Sequence, residues 1–146
     1  MLTHADDELE IMRLLARLAQ AVDDRDVHAY RDCFADEVVC LFSDPPSPNE
    51  TWRAVPSDAY ARQAVESVAA FDWTHHRLCN YVIIVDGERA RGKVDVVAEM
   101  QAPKTDNGAT ARVRTVGGRY DLEFTRMPAG WRITKRHMRT RYTIGS

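Results

Sequence analysis

The sequence predicts an α+β domain in which a bent antiparallel sheet packs on about three helices gathered at its start. Three observations carry that prediction. Apolar positions in residues 6 to 23 repeat with the period of a helix, from residue 75 onward the repeat falls to two, and Asp86-Gly87 stands between two period-two runs as a hairpin turn. Helices first and long strands afterwards place the helices on one face of the sheet instead of between parallel strands. A sheet curled against helices leaves a cone-shaped cavity, a common home for a small molecule.

Each element follows from local signals. The first helix has acids in its first turn (Asp6, Asp7, Glu8), where the helix dipole favours them, and one apolar stripe of Ile11, Leu15, Leu18 and Val22. Asp26 is placed to cap a second helix whose Val27, Tyr30 and Phe34 share a face. A short strand is expected at Val38–Phe42, followed by a loop over Ser43-Asp-Pro-Pro-Ser-Pro-Asn49. Pro56-Ser57 opens a third helix over 58–70, with Tyr60, Ala64 and Val68 aligned. Strands are expected at 75–86 and 88–101, then at 110–126 and 131–143, the second pair turning at Met127-Pro-Ala-Gly130 and a loop at Lys104-Thr-Asp-Asn-Gly108 joining the two pairs.

Composition narrows the function. A chain of 146 residues fits one domain, taken as 1–146, and 45% hydrophobic with 29% charged residues excludes disorder. Twenty Lys+Arg against 22 Asp+Glu give a net charge of −2, which speaks against nucleic acid as a partner. No apolar run approaches the roughly 20 residues of a membrane span, and MLTHADDELE lacks the pattern of a signal peptide, so a cytoplasmic location is expected. Cys33, Cys40 and Cys79 form no C-x-x-C pair, so neither a disulfide scaffold nor a zinc ribbon is indicated.

One carboxylate is out of pattern. At 100° per residue Asp24 falls within the polar stripe of the first helix, whereas Asp23 projects between Met12 and Ala16 at the edge of the apolar arc. Asp23 is either a terminal acid in solvent or a half-buried carboxylate that needs a partner. Trp73-Thr-His75-His76-Arg-Leu-Cys-Asn80, at the start of the first long strand, offers one. Counting by two puts His76, Leu78, Asn80, Val82 and Ile84 on one face and Arg77, Cys79, Tyr81, Ile83 and Val85 on the other; the pattern does not fix which face is inward. Adjacent histidines on a strand diverge, so no metal site is expected.

Ala21-Val22-Asp23, Cys33-Phe34, His76-x-x-x-Asn80, Gly118-Arg-Tyr120 and Gly130-Trp131-Arg-Ile133 recur in the order and spacing of a known family. Together they resemble the SnoaL-like branch of the nuclear transport factor 2-like superfamily, over nearly the whole chain. The resemblance implies the cystatin-like, cone-shaped α+β fold. The pattern is most similar to scytalone dehydratase and hexachlorocyclohexane dehydrochlorinase, which implies a catalytic Asp at Asp23 and a catalytic His at His76, with His137 on a last-strand position that lines the pocket. Steroid isomerases of the superfamily use a mid-sheet Asp, but Asp95 and Asp121 alternate with Val94, Val96, Tyr120 and Leu122 and are read as facing away from the apolar side.

The reading that results is a cofactor-independent lyase of dehydratase type, acting on a hydrophobic cyclic small molecule. His76 removes a proton from an acidic carbon and Asp23 fixes its tautomer. The alternatives are an isomerase or polyketide-cyclase-type enzyme in the same pocket, or a non-catalytic domain that binds a small ligand or a protein. Tyr30, Trp52, Asn80, Tyr120 and His137 are the candidate substrate contacts, each with a plain core or packing role as the competing explanation. Arg132, Lys135, Arg136, Arg139 and Arg141 make the last strand basic; an anionic substrate could meet that run, but a solvated edge or a subunit contact is the usual explanation and the one taken. No cofactor is expected, because G-x-G-x-x-G, Walker A and HExxH motifs are missing. Relatives assemble through the outer sheet face, so a homodimer or homotrimer is expected.

Overall fold

The computed structural model describes residues 3–41, 47–104 and 112–145. The elements are α1 (His4–Asp23), α2 (Val27–Arg31), β1 (Phe34–Cys40), β2 (Arg53–Pro56), α3 (Ser57–Val68), β3 (Trp73–Asp86), β4 (Arg89–Gln101), β5 (Val113–Met127) and β6 (Gly130–Ile144). All six strands form one sheet in the order β2-β1-β6-β5-β4-β3, an α+β arrangement in which helix and sheet residues share one core. Phe42, most of the loop expected at 43–49 and most of that expected at 104–108 lie outside the described residues.

α1 begins two residues before the expected start because Thr3 and Asp6 close a capping box on its first turn. Its stripe of Ile11, Leu14, Leu15 and Leu18 is buried against Val94, Val96, Leu122, Phe124 and Ile133 of the sheet. The start of the helix is pinned as well. Asp7, 4% exposed, accepts from Trp131 Nε1 at 3.1 Å and pairs with Arg126 at 2.7 Å. Burial by itself pushes the Asp7 carboxyl up, but the hydrogen bonds from Arg126 and Trp131 outweigh it and hold the group below the usual carboxylate range.

Two departures from the expected fold share a cause. The sheet is mixed, since β1 runs parallel to β6, and β1 starts at Phe34 instead of Val38. α2 is a five-residue helix capped by Asp26; beyond it the Ile133 amide donates to the Cys33 carbonyl at 2.9 Å and draws the chain into the sheet beside β6. Phe34, which shares the helical period of Val27 and Tyr30, is therefore a strand residue. β2, which local patterning does not signal, pairs with β1 as the outer edge.

The four long strands lie close to their expected bounds, and Asp86 pairs with Arg89 across a two-residue turn whose Gly87 has φ +60°. β5 and β6 slip register at Gly117/Gly118. A Cβ on Gly118 would run into the Arg139 carbonyl, so the approach requires glycine. Among the described residues, no helix is long and apolar enough to cross a membrane.

Candidate active site

Asp23 is the last residue of α1, and its carboxylate receives three hydrogen bonds from the start of β3. The His76 amide donates to Oδ2 at 2.8 Å, the Thr74 hydroxyl to Oδ1 at 2.9 Å, and His76 Nδ1 lies 2.7 Å from Oδ1. Thr74 and His76 are two residues apart on one strand, so both side chains face the helix end. An ionised carboxylate can only accept, so beside one the neutral ring carries its proton on Nδ1 and keeps the Nε2 lone pair for the cavity that His76 lines. The side chains of His76 and Asp23 are only 13% and 15% exposed.

This corner is held by Arg25, which has a left-handed backbone (φ +56°) just beyond α1. Its guanidinium donates to the Asp23 carbonyl (2.6 Å), to Thr74 Oγ1 (3.0 Å) and to the carbonyls of Val68 and Phe71 (3.0 and 3.1 Å). One side chain thereby joins the ends of α1 and α3 to the start of β3. Thr74 Oγ1 accepts from Arg25 and gives its own proton to Asp23, which gives the polar chain a single sense.

The cavity beside His76 measures about 320 Å³. Leu18, Val22, Leu78 and Met138 give it apolar walls, and Tyr30, Tyr60, Tyr120 and Arg136 give it polar ones. Burial pushes the Tyr30 phenol well above its ordinary range, so it stays neutral. Arg136 donates from Nη1 to the Tyr60 hydroxyl at 2.6 Å and stacks 4.3 Å from the centre of the Tyr120 ring. Its Nε is buried with no acceptor.

Two bulges decide which residues reach this cavity. On β3 the register slips between Cys79 and Val82, around Asn80 at φ +52°. Inward positions run His76, Leu78, then Tyr81, Ile83 and Val85, while Val82 and Ile84 point outward and are 58% and 49% exposed. The face counted by two is therefore broken at its middle. Asn80, expected as a substrate contact, is exposed and donates to Asp95 on the outer face at 2.8 Å. On β6 the slip falls at Thr134, since Ile133 pairs with Phe124 but Lys135 pairs with Glu123. Arg136 and Met138 thereby join Leu122 and Tyr120 on the inner face.

His137 is buried and borders the cavity, but it is in register with Asp121, and its ring meets Trp52 edge-on at 5.6 Å. Trp52 lies away from the cavity, 43% exposed on an outer groove, with Lys135 Nζ 4.1 Å above its ring. Of the residues singled out in the sequence, the structure brings Asp23 and His76 into contact and puts Tyr30 and Tyr120 in the cavity wall. It sends Asn80 and Trp52 elsewhere and turns His137 toward Trp52.

Sequence reasoning missed Thr74, Arg25, Tyr60 and Arg136 as site residues. Thr74 carried a signal, standing two before His76 on the same strand face. Tyr60 was aligned with Ala64 and Val68 on the helix face that borders the cavity. Arg25 and Arg136 were hidden by a left-handed residue and a bulge, and the solvated-edge reading of the basic strand is overturned for Arg136. Among the described residues, no three His, Cys, Asp or Glu side chains cluster as a metal site would need.

A family model described as a SnoaL-like domain matches residues 3–137. The Kfla4162 protein of Kribbella flavida has a similar solved structure, with 26% identity over 97% of this chain and 95% of that one and a TM-score of 0.86. A candidate scytalone dehydratase from Novosphingobium aromaticivorans shares 19% identity over 93% and 85% of the two chains, with a TM-score of 0.75. A hexachlorocyclohexane dehydrochlorinase from Novosphingobium barchaimii shares 16% over 94% and 88%, with a TM-score of 0.72. At those last two identities the likeness is one of fold. No curated protein matches the chain.

Proposed function

The chain belongs to the SnoaL-like family of the nuclear transport factor 2-like superfamily, and from that footing we propose that it is a lyase of the dehydratase type, with His76 as its base and Asp23 as the group that positions the base. The observation that carries the reading is the 2.7 Å contact between Asp23 Oδ1 and His76 Nδ1 beside a cavity that His76 lines. A carboxylate there holds the imidazole in one tautomer and stabilises the imidazolium that forms on proton transfer.

In this reading Nε2 takes a proton from a carbon made acidic by a neighbouring carbonyl. The C–H electron pair becomes the new C=C bond as the C–O bond to the adjacent hydroxyl breaks. The imidazolium returns its proton to the departing oxygen, so substrate yields alkene and water with no co-reactant. The apolar walls keep bulk water from the base and suit a cyclic substrate.

The test is a panel of cyclic β-hydroxy ketones, followed by the absorbance of the conjugated product. Turnover by the wild type, lowered about 10²–10⁴-fold in His76→Ala and Asp23→Asn with circular dichroism unchanged, supports the proposal. Turnover that survives both substitutions overturns it.

A further inference from the structure

Most arginines that reach across the fold have a carboxylate. Arg31 pairs with Asp58, Arg77 with Glu99, Arg119 with Asp95, Arg126 with Asp7 and Arg139 with Asp121. Arg136 does not. Among the described residues no acid lies within ion-pair distance of it, its Nε–H is buried without an acceptor, and its surroundings are the Tyr60 hydroxyl and the Tyr120 ring. A half-buried guanidinium without a counter-ion is costly, and its planar fork of donors fits the two oxygens of a carboxylate. The rest of the corner is also short of acceptors. The Tyr60 hydroxyl has already accepted from Arg136, which leaves its own proton to donate, and Tyr30 is a neutral phenol in the same wall.

We propose that the cavity takes a small cyclic carboxylate, whose carboxylate docks on Arg136 with Tyr60 as a further donor and whose ring lies against Leu18, Val22, Leu78 and Met138. At about 320 Å³ the cavity stands near the lower end of the roughly 300–1,000 Å³ of ligand pockets, which favours one or two rings. His76 and Arg136 come from β3 and β6, with β4 and β5 between them, and the curled sheet brings both to one cavity. The carboxylate thus fixes which ring carbon is presented to His76. The orientation of the ring toward His76 rests on the proposed base; the anion site does not.

The experiment is calorimetric titration of the full chain with benzoate and indole-3-carboxylate, each beside its neutral amide. The expected result is saturable binding of at least one carboxylate, at least tenfold tighter than its amide. Arg136→Gln is expected to abolish the preference, while Arg136→Lys keeps part of it and guards against a folding defect in the first variant. The titration reads binding and not turnover, so a failed base assignment leaves this result standing. Equal binding of acid and amide, carboxylate affinity unchanged in Arg136→Gln, or no saturable binding by either carboxylate overturns the proposal.

Discussion

At the corner where α1 meets β3, the polar groups answer one another. Arg25 donates to Thr74, Thr74 donates to Asp23, and Asp23 accepts from both the ring and the amide of His76. On the β6 wall of the same cavity, Arg136 has one hydroxyl, one aromatic face and an unanswered Nε–H. The first corner is complete before anything binds, as a positioned base must be, since a loose imidazole would spend orientation at the moment of reaction. The second is complete only when something supplies an acceptor. A paired polar cluster reports on geometry, and an unpaired one reports on what is to arrive.

That contrast can be sharpened with a third site, a fully paired carboxylate outside the lining of that cavity. Asp7 is buried with Arg126 and Trp131. Asp7→Asn leaves the Arg126 charge poorly answered and is expected to cost about 3 kcal/mol in chemical denaturation at neutral pH. The Asp7 carboxyl is held below its ordinary value of 3.8, so the stability it contributes is whole above that pH and is lost as pH falls through the lowered value. Asp7→Asn is expected to flatten that acid step in the pH profile.

At the α1–β3 corner, Thr74→Val keeps the shape and removes both a donor to Asp23 and an acceptor for Arg25, for an expected loss of about 1–3 kcal/mol and a lower melting temperature. Arg136→Met is expected to leave the melting temperature of the ligand-free protein unchanged or to raise it, because it removes a half-buried charge that lacks a counter-ion. A fall as large as that of Thr74→Val would put the two corners on the same footing and erase the comparison. The smallest effect is expected for Asn80→Gly. Glycine accepts φ +52° without strain, and the side chain lost points to Asp95 on the outer face, so stability should move by about 0.5 kcal/mol or less.

The order of elements was legible because periodicity is a local property, and α1, α3 and the four long strands each carry a long enough run of it on at least one side of any bulge. Asp23 was legible because one acid fell on the wrong arc of an otherwise regular helix. What escaped lay where regularity stops. Counting by two is valid only while the ladder is unbroken, and the bulges at Asn80 and Thr134 each reverse it, which sent Asn80 outward and Arg136 inward. Asn80 carried a trace of this, since Asn is among the few residues that adopt a left-handed backbone readily. Thr134 carried none. The parallel pairing of β1 with β6 depends on contacts across the whole chain, from Cys33 to Ile133, which no window of local sequence contains.

The proposed chemistry turns on Asp23 holding His76 with its proton on Nδ1 and its lone pair on Nε2. Nitrogen-15 correlation spectra of the His76 ring in the ligand-free protein, recorded where the ring is neutral, report the tautomer directly. The Nδ1–H form is expected in the wild type, and its loss in Asp23→Ala. A ring protonated on Nε2, or a mixture that ignores Asp23→Ala, would contradict it.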